Sequence, residues 1–310
     1  MLEIQNISKS FYRKAALDGV SFRVNDGEVF GILGPNGAGK TTLIRIINRI
    51  ITPDTGMVRL NGEIMKDFHL ALVGYLPEER GLYRTMTVKE HAIFLGRLRG
   101  MTKMEALAGL NYWLDKFSIT DWQNKRIEEL SKGMAQKVQF ICTVLHDPEL
   151  LILDEPLSGF DPINVELIKQ EIIEMKANGK TIILSTHNMK SVEEICDSVV
   201  LINNSKKILE GKVSTIQEER KTGEFAVKFQ GNMIAFVNAL WTNFELVDKE
   251  ILGNDKYIAR LRLRGENNFE DLLRSLIGQV KIEAAWEVLP SMQDIFIEMV
   301  QPDKINSHEK

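Results

Sequence analysis

The stretch "GPNGAGKTT" places Gly34, Gly39, Lys40 and Thr41 at the spacing G-x-x-x-x-G-K-[ST]. In this pattern the glycines let backbone N–H groups turn towards phosphate oxygens, the lysine reaches the β- and γ-phosphates, and the hydroxyl suits Mg²⁺. An apolar run precedes the stretch and apolar residues at helical spacing follow it, which predicts a strand, a tight loop and a helix. We therefore predict a triphosphate-binding loop formed by Gly34, Pro35, Asn36, Gly37, Ala38, Gly39, Lys40, Thr41 and Thr42.

Two later apolar runs end in residues that could act on a bound triphosphate. "LLILDEP" ends in Asp154 and Glu155, and "TIILSTH" ends in His187. Because the carboxyl ends of parallel strands lie at one edge of a sheet, where ligands bind, we expect these side chains to meet the phosphate loop. Asp154 is predicted to hold Mg²⁺ with Thr41, and Glu155 to polarise a water for attack on the γ-phosphorus. His187 is predicted to hydrogen-bond the γ-phosphate or that water, and Lys40 completes the predicted catalytic set.

A second anion site is indicated by "EELSKGMAQK", residues 128–137. Ser131 stands where a helix could begin, and Gly133 lies in its first turn, although glycine costs roughly 1 kcal/mol in a helix. A helix start with a serine hydroxyl and a glycine N–H can bind an anion. An ordinary N-cap role for Ser131 is the alternative.

The elements that must position these residues alternate between strands and helices. The first 60 residues are typical of short strands, and residues 86–146 are mostly helical in pattern. The runs "ELLILDEP" and "KTIILSTH" flank an amphipathic helix at about 164–177, which predicts a parallel βαβ unit. Because both runs are apolar at consecutive positions, their strands are expected to be covered on two faces. The predicted fold class of residues 1–215 is α/β with a parallel-sheet core.

A boundary is predicted near residues 218–225. Beyond it the pattern predicts a strand, helix, strand, strand, helix and strand at 224–229, 232–241, 244–251, 257–264, 268–277 and 280–287. This βαββαβ order predicts a small α+β, ferredoxin-like domain over 222–300, with a last helix in "SMQDIFIEMV" and a tail at 301–310. Arg260, Arg262 and Arg264 fall on one strand face, which is either solvated or an anion site.

The composition is that of a soluble globular protein. Of 310 residues, 44% are hydrophobic and 26% are charged, with a net charge of −4 and an isoelectric point of about 5.9. This acidity argues against a role in binding nucleic acid, and no nucleic-acid partner is expected. Cys142 and Cys196 give no disulfide framework, which suits a reducing compartment. We expect neither a signal peptide nor a membrane-spanning run, so a role at a membrane would need another chain to cross it.

In this order and spacing, the motifs resemble those of the ATP-binding subunits of ABC transporters over residues 1–215. "GPNGAGKTT" is similar to Walker A, "LSKGM" to the ABC signature, "LLILDEP" to Walker B and "SGFD" to the D-loop, and His187 is similar to the switch histidine. The resemblance implies a P-loop NTPase cassette in which an antiparallel β subdomain and a helical subdomain at about 86–146 accompany the parallel sheet. It also implies ATP and Mg²⁺ as cofactors. Each ATP would lie between one chain's Walker A and the signature of a second copy, in a homodimer.

The same resemblance implies further nucleotide contacts by Ser131, Gly133 and Asp161. It places an aromatic ring under adenine at Phe11, with Tyr12 as the neighbouring candidate. The implied partner is an integral membrane permease, which the ATPase would drive from the inner, cytoplasmic face of the cell membrane. The C-terminal part is similar to that of ABC ATPases in sodium- or drug-efflux systems, which implies export.

Two positions depart from the family pattern. Glu78, in "VGYLPEERGLY", stands where the family has the Q-loop glutamine, and it is a third predicted metal ligand beside Thr41 and Asp154. The signature has Lys132 and Met134 in place of the usual glycine and glutamine.

The alternative functions are a soluble ABC-type ATPase that remodels ribosomes or DNA without a permease, and a GTPase or small-molecule kinase. The sequence does not support the GTPase alternative, because "QNKRIEE" has no aspartate at the fourth position of a guanine-selecting Asn-Lys-x-Asp motif.

Overall fold

The computed structural model describes residues 1–12, 14–79, 81–240, 243–265 and 267–300. The chain divides into two compact units between Val213 and Ser214. The predicted tail at 301–310 and residue 241, the predicted end of a helix, lie outside the described residues. The domain boundaries at 215 and 222 stay predictions.

Strands and helices alternate along the first unit. In chain order they are β1 (Leu2–Phe11), β2 (Lys14–Val24), β3 (Val29–Leu33), α1 (Lys40–Ile47), β4 (Thr55–Leu60), β5 (Glu63–Ile64), β6 (Val73–Leu76), α2 (Val88–Leu98), α3 (Lys103–Lys116), α4 (Lys132–Val144), β7 (Leu150–Asp154), α5 (Pro162–Ala177), β8 (Thr181–Ser185), α6 (Met189–Ile195), β9 (Ser198–Asn203) and β10 (Lys206–Lys212).

The first unit contains a six-stranded sheet in the order β10-β9-β3-β8-β7-β6. Its strands are parallel except for β10, which pairs antiparallel with β9 at one edge. Every residue of β3, β7 and β8 is buried, as expected for apolar strands covered on both faces. β8 lies between β3 and β7, so the loops that leave the carboxyl ends of these three strands meet at one edge of the sheet.

A second sheet of the first unit is antiparallel, in the order β2-β1-β4-β5. Its buried residues share a hydrophobic core with α1 and the parallel sheet, where Phe22 stacks on Phe30 with ring centroids 5.2 Å apart. Helix α1 contributes Leu43, Ile44 and Ile47, which are fully buried. The apolar spacing that predicted this helix therefore marks its core-facing side.

Helices α2, α3 and α4 form the helical part of the first unit. The first two begin with capping boxes, in which Thr87 pairs with Glu90 and Thr102 with Glu105. Each pair satisfies backbone donors that a helix start leaves free, and such a cap stabilises a helix by about 1 kcal/mol. No helix in the described part of the chain is long and apolar enough to span a bilayer.

The second unit begins within α7 (Val213–Glu219). It contains β11 (Glu224–Gln230), α8 (Met233–Leu240), β12 (Phe244–Gly253), β13 (Lys256–Leu263), α9 (Phe269–Leu276), β14 (Lys281–Val288) and α10 (Met292–Val300). The strand order is β12-β13-β11-β14, with every neighbouring pair antiparallel. This is the predicted ferredoxin-like arrangement. α8 and α9 share an aromatic core with the sheet, in which Phe229 and Phe236 stack with centroids 4.1 Å apart.

Two of the three arginines predicted on one strand face pair with carboxylates of neighbouring strands. Arg262 Nη2 lies 2.8 Å from Glu224 Oε1, and Arg264 Nη2 lies 3.2 Å from Glu245 Oε2. For these two residues the contacts favour an ion-paired, solvated strand face over an anion site.

Candidate functional site

The phosphate loop leaves β3 and enters α1 against the antiparallel sheet. At Gly39, directly before α1, φ is +115° and a Cβ atom would lie 2.3 Å from the carbonyl oxygen of Ala16. No side chain fits at that distance, so the glycine lets the loop run directly against β2. The loop then turns into α1, whose first N–H groups have no intrahelical acceptor and are suited to a phosphate.

Lys40 is held by the loop that precedes it. Its Nζ donates to the carbonyl oxygens of Gly34 at 2.7 Å and Pro35 at 3.2 Å, and the residue is buried. Burial lowers the pKa of Lys40, while the nearby carboxylates of Glu155 and Asp154 oppose that shift. A buried ammonium group gains from an anionic ligand, so Lys40 is placed to bind phosphate oxygens.

A cleft of about 350 Å³ lies where the phosphate loop meets the carboxyl ends of β7 and β8. Its lining includes residues that the sequence predicted for phosphate, metal and catalysis, namely Asn36, Gly37, Gly39, Lys40, Thr41, Thr42, Glu78, Asp154, Glu155 and His187. The loop residues outside this lining are Gly34, Pro35 and Ala38. Ala16, Ser158 and Ser185 also line the cleft but were not among the predicted site residues, although Ser158 begins the predicted D-loop. Ser185 ends β8 and pairs in register with Asp154, so the strand-end argument applied to it as well.

Asp154 ends β7 and is 2% exposed. Within the described residues, its Oδ2 atom and the Oγ atom of Ser185 have no hydrogen-bond partner. Burial raises the pKa of the Asp154 carboxyl, since a buried charge needs compensation. A cation in the cleft would supply that compensation. The oxygen atoms of Thr41, Asp154 and Glu78 are the kind of ligand that Mg²⁺ prefers. The residues present therefore fit a magnesium ion.

Glu155 follows β7 in a strained backbone conformation. Its φ is +51°, in the left-handed region that costs a non-glycine residue about 1–2 kcal/mol. Its N–H donates to the carbonyl oxygen of Ser185 at 2.9 Å, which ties this conformation to β8. Nδ1 of His187 lies 2.8 Å from Glu155 Oε1, so that an Nδ1–H donates to the carboxylate. The two predicted catalytic residues are therefore in contact, and the second carboxylate oxygen can act on a water.

The chain is similar to known proteins over most of its length. The family model for ABC transporters matches residues 17–158. YhaQ, an uncharacterized ABC transporter ATP-binding protein of Bacillus subtilis, is 40% identical to this chain over 97% of the chain and 98% of YhaQ. The chain belongs to the ATP-binding proteins of ABC transporters.

This ABC ATPase has further relatives along its length. It is 30% identical to a Nod factor export ATP-binding protein I of Sinorhizobium fredii, over 96% of this chain and 85% of that protein. It also matches the structure of an ATP binding subunit of an ABC transporter, with a TM-score of 0.66 and 32% identity, covering 71% of this chain and 92% of the other. The family and the cassette fold predicted from the motifs are thus confirmed, and the protein binds and hydrolyses ATP.

The aromatic residues predicted to lie under adenine stand outside the cleft lining of this ABC ATPase. Phe11 is 44% exposed at the end of β1, with Nζ of Lys9 lying 5.7 Å from its ring centroid. Tyr12 is fully exposed, with φ at +44°. Adenine stacking on Phe11 therefore stays a prediction.

The signature and D-loop residues of the ABC ATPase cap helices. Ser131 is the N-cap of α4, and its Oγ accepts from the N–H of Met134 at 3.3 Å. The ordinary capping role of Ser131 is therefore present in the structure. Asp161 caps α5 by accepting from the N–H of Asn164 at 3.0 Å, and this bond lowers the pKa of its carboxyl. Nucleotide contacts by Ser131, Gly133 and Asp161 stay predictions.

Proposed function

We propose that this ABC ATPase hydrolyses MgATP at the interface of a head-to-tail homodimer and drives export through a separate membrane permease. The observation that carries the proposal is the contact between Glu155 and His187 in a cleft that Lys40 and Asp154 also line. Transfer of a phosphoryl group to water needs a cation for the phosphates, a carboxylate for the metal and a base for the water, and these residues supply all three.

Catalysis in this proposal depends on positioning. Lys40 and the first N–H groups of α1 bind the β- and γ-phosphates. Glu155 orients a water in line with the γ-phosphorus and accepts its proton. With its Nδ1–H donated to Glu155, His187 has Nε2 left to hydrogen-bond the attacking water or the γ-phosphate.

The metal site is proposed at Thr41, Asp154 and Glu78. When bound, Mg²⁺ neutralises charge on the β- and γ-phosphates. Glu78 replaces the neutral glutamine of the family, so three carboxylates rather than two line this cleft, the others being Asp154 and Glu155. We propose that Glu78 thereby makes the binding of ATP more dependent on the metal than a glutamine would.

The homodimer is proposed from the position of the signature. Ser131 is exposed and Gly133 half-buried at the start of α4, where N–H groups without intrahelical acceptors can bind a phosphate. In the described part of the chain, neither residue lines the cleft of its own subunit. Cassettes of this family bind ATP and dimerise, so the ligand of the signature is proposed to be an ATP held by the other subunit. Asp161 is also exposed, and we propose that it lies at the same interface.

The permease is proposed to dock in a groove of the helical part, with the ATPase at the inner face of the membrane. The groove has a volume of about 350 Å³, includes Leu98 and reaches Pro77 beside Glu78. Leu98 and the neighbouring Tyr83 are exposed. His91 is fully buried in its wall, and among the described residues neither of its ring nitrogens has a hydrogen-bond partner. A permease helix would cover the exposed apolar surface of the groove, whereas His91 lies too deep in the wall for that helix to contact it. The export direction is supported by the relative named for Nod factor export.

The substitution Glu155→Gln tests the proposed chemistry. Turnover should fall by about 10²–10⁴-fold, because a general base is lost while the groups that bind phosphate remain. ATP should still bind, and a dimer should accumulate in size-exclusion chromatography with MgATP. Glu149→Gln, at an exposed carboxylate just before the same strand, is the matched control and should hydrolyse ATP normally. Near-normal hydrolysis by Glu155→Gln would remove Glu155 from the mechanism.

A further inference from the structure

Helix α4, which begins at the signature, carries two glutamine side chains one turn apart. Gln139 is buried, and its Nε2 donates to the carbonyl oxygen of Pro77 at 3.1 Å. Nε2 of Gln136 donates to the carbonyl oxygen of Ser158. Residues three apart lie on the same side of a helix, so α4 contacts two separate loops from one face.

Both loops carry groups of the phosphate cleft. Pro77 directly precedes Glu78, which lines the cleft. Ser158 lines the cleft itself, and its N–H donates to the carbonyl oxygen of Glu155 at 3.1 Å. Gln139 is therefore bonded to the main chain next to Glu78. Gln136 is bonded to the main chain of Ser158, which is itself hydrogen-bonded to Glu155. The carboxylates of Glu78 and Glu155 both face the nucleotide site.

A glycine lies where the second loop contacts α4. At Gly159, φ is +79° and a Cβ atom would lie 2.9 Å from Cε of Lys132 and 3.3 Å from Nε2 of Gln136. The loop thus lies close to α4, and its left-handed conformation at residue 159 favours glycine. Within the described residues, Oε1 of Gln136 is buried without a hydrogen-bond partner, so the bond to Ser158 is the one that orients this amide.

We propose that Gln136 and Gln139 are positioning residues that tie the signature helix to the loops of Glu155 and Glu78. The inference rests on the proposed function, in which the start of α4 meets the ATP of the other subunit. A displacement of α4 on that contact moves both loops together, because both are bonded to one face of the helix. Glu155 and Glu78 therefore reach their catalytic positions only when the signature binds the ATP of the other subunit.

The substitutions Gln136→Met and Gln139→Met test this in the full-length protein. Methionine keeps the length and helix propensity of glutamine but has no N–H donor. We expect kcat to fall roughly ten- to hundred-fold in each variant, because a small displacement of catalytic groups has effects of this size. KM for ATP should stay unchanged, because neither residue touches the phosphate loop. The matched control is Gln123→Met, which removes a bond to Asn111 Oδ1 at 2.9 Å in the helical part and should leave kcat unchanged.

Hydrogen exchange gives a readout that does not depend on activity. Gln139→Met should speed exchange in the segment around residue 78, and Gln136→Met in the segment around residue 158, each without affecting the other segment. Wild-type kcat in both variants would overturn the inference, and so would faster exchange throughout the chain, which would indicate general loosening. If Glu155→Gln is inactive and these variants are normal, this inference alone fails. If Glu155→Gln hydrolyses ATP normally, the proposed function fails.

Discussion

Nδ1 of His187 and Oε1 of Glu155 lie 2.8 Å apart, yet the His187 side chain is 66% exposed and that of Glu155 only 11%. The histidine is the solvent-facing member of the pair and the carboxylate is the sheltered one. They follow two neighbouring strands, β8 and β7, so their contact joins two strand ends at the cleft. We infer that His187 orients a base whose position is already set by the backbone.

The backbone strain at Glu155 can be measured. Glu155→Gly and Glu155→Ala both remove the carboxylate, but only glycine adopts φ of +51° without a steric cost. The glycine variant should therefore exceed the alanine variant by about 1 kcal/mol in free energy of unfolding, measured by urea denaturation. Equal stability of the two variants would show that residue 155 is not held in the left-handed conformation.

The head-to-tail dimer predicts proximity between Asn36 of one subunit and Ser131 of the other. Asn36→Cys and Ser131→Cys are combined with Glu155→Gln to block hydrolysis. Since a disulfide needs Cα atoms within about 7 Å, oxidation with ATP should give a band of doubled mass on a non-reducing gel, and much less of it without ATP.

The natural cysteines can stay in place for this test. Cys142 and Cys196 are free and buried, and burial raises the pKa of the Cys142 thiol to about 12 and that of Cys196 as well. The control retains them and lacks the two new cysteines. A link that forms regardless of ATP, or within single chains, would argue against the dimer.

The buried His91 predicts a loss of stability in acid. Burial lowers the pKa of His91 to about 4. Below its ordinary pKa of about 6.5, the unfolded chain takes up a proton that the folded chain does not, so stability falls as the pH drops from about 6.5 towards 4. His91→Leu should reduce the loss between pH 7.5 and pH 5 by on the order of 1–2 kcal/mol, as urea unfolding at the two pH values would show. Identical losses in both proteins would rule out this role for His91.

The docking groove predicts a surface substitution that separates binding from hydrolysis. Leu98→Glu puts a charge into the exposed apolar surface of the groove and should reduce co-purification of the permease from detergent-solubilised membranes. Its basal ATPase activity should be that of the wild type. Met104→Glu, at an exposed apolar residue of α3 outside the groove lining, is the control and should retain the permease. Equal recovery with both variants would place the docking surface elsewhere.

The sequence predicted the parts of the site that follow a local rule. The phosphate loop, Asp154, Glu155 and His187 each stand at the end of an apolar strand, and the structure brings them to one cleft. The βαββαβ order of the second unit was also predictable, because its strands and helices have clear periodicity.

Other features depend on contacts between distant segments. Ala16 lines the cleft because β2 passes beside Gly39, and no pattern around an alanine indicates such an approach. The bonds of Gln136 and Gln139 join α4 to loops that are 22 and 62 positions away in sequence. The burial of His91 follows from helix packing, whereas a histidine in a mixed sequence suggests a surface position.

The strand order has a consequence for synthesis of the chain. β3, which leads into the phosphate loop, pairs on both sides with strands that come roughly 150–170 residues later. At a ribosomal rate of about 5–20 residues per second, the loop is synthesised roughly 8–34 s before those neighbouring strands. α2 and α3 can form in that interval, since their capping boxes are local. ATP can therefore bind the nascent polypeptide only late in synthesis, after both neighbours of β3 have left the ribosome.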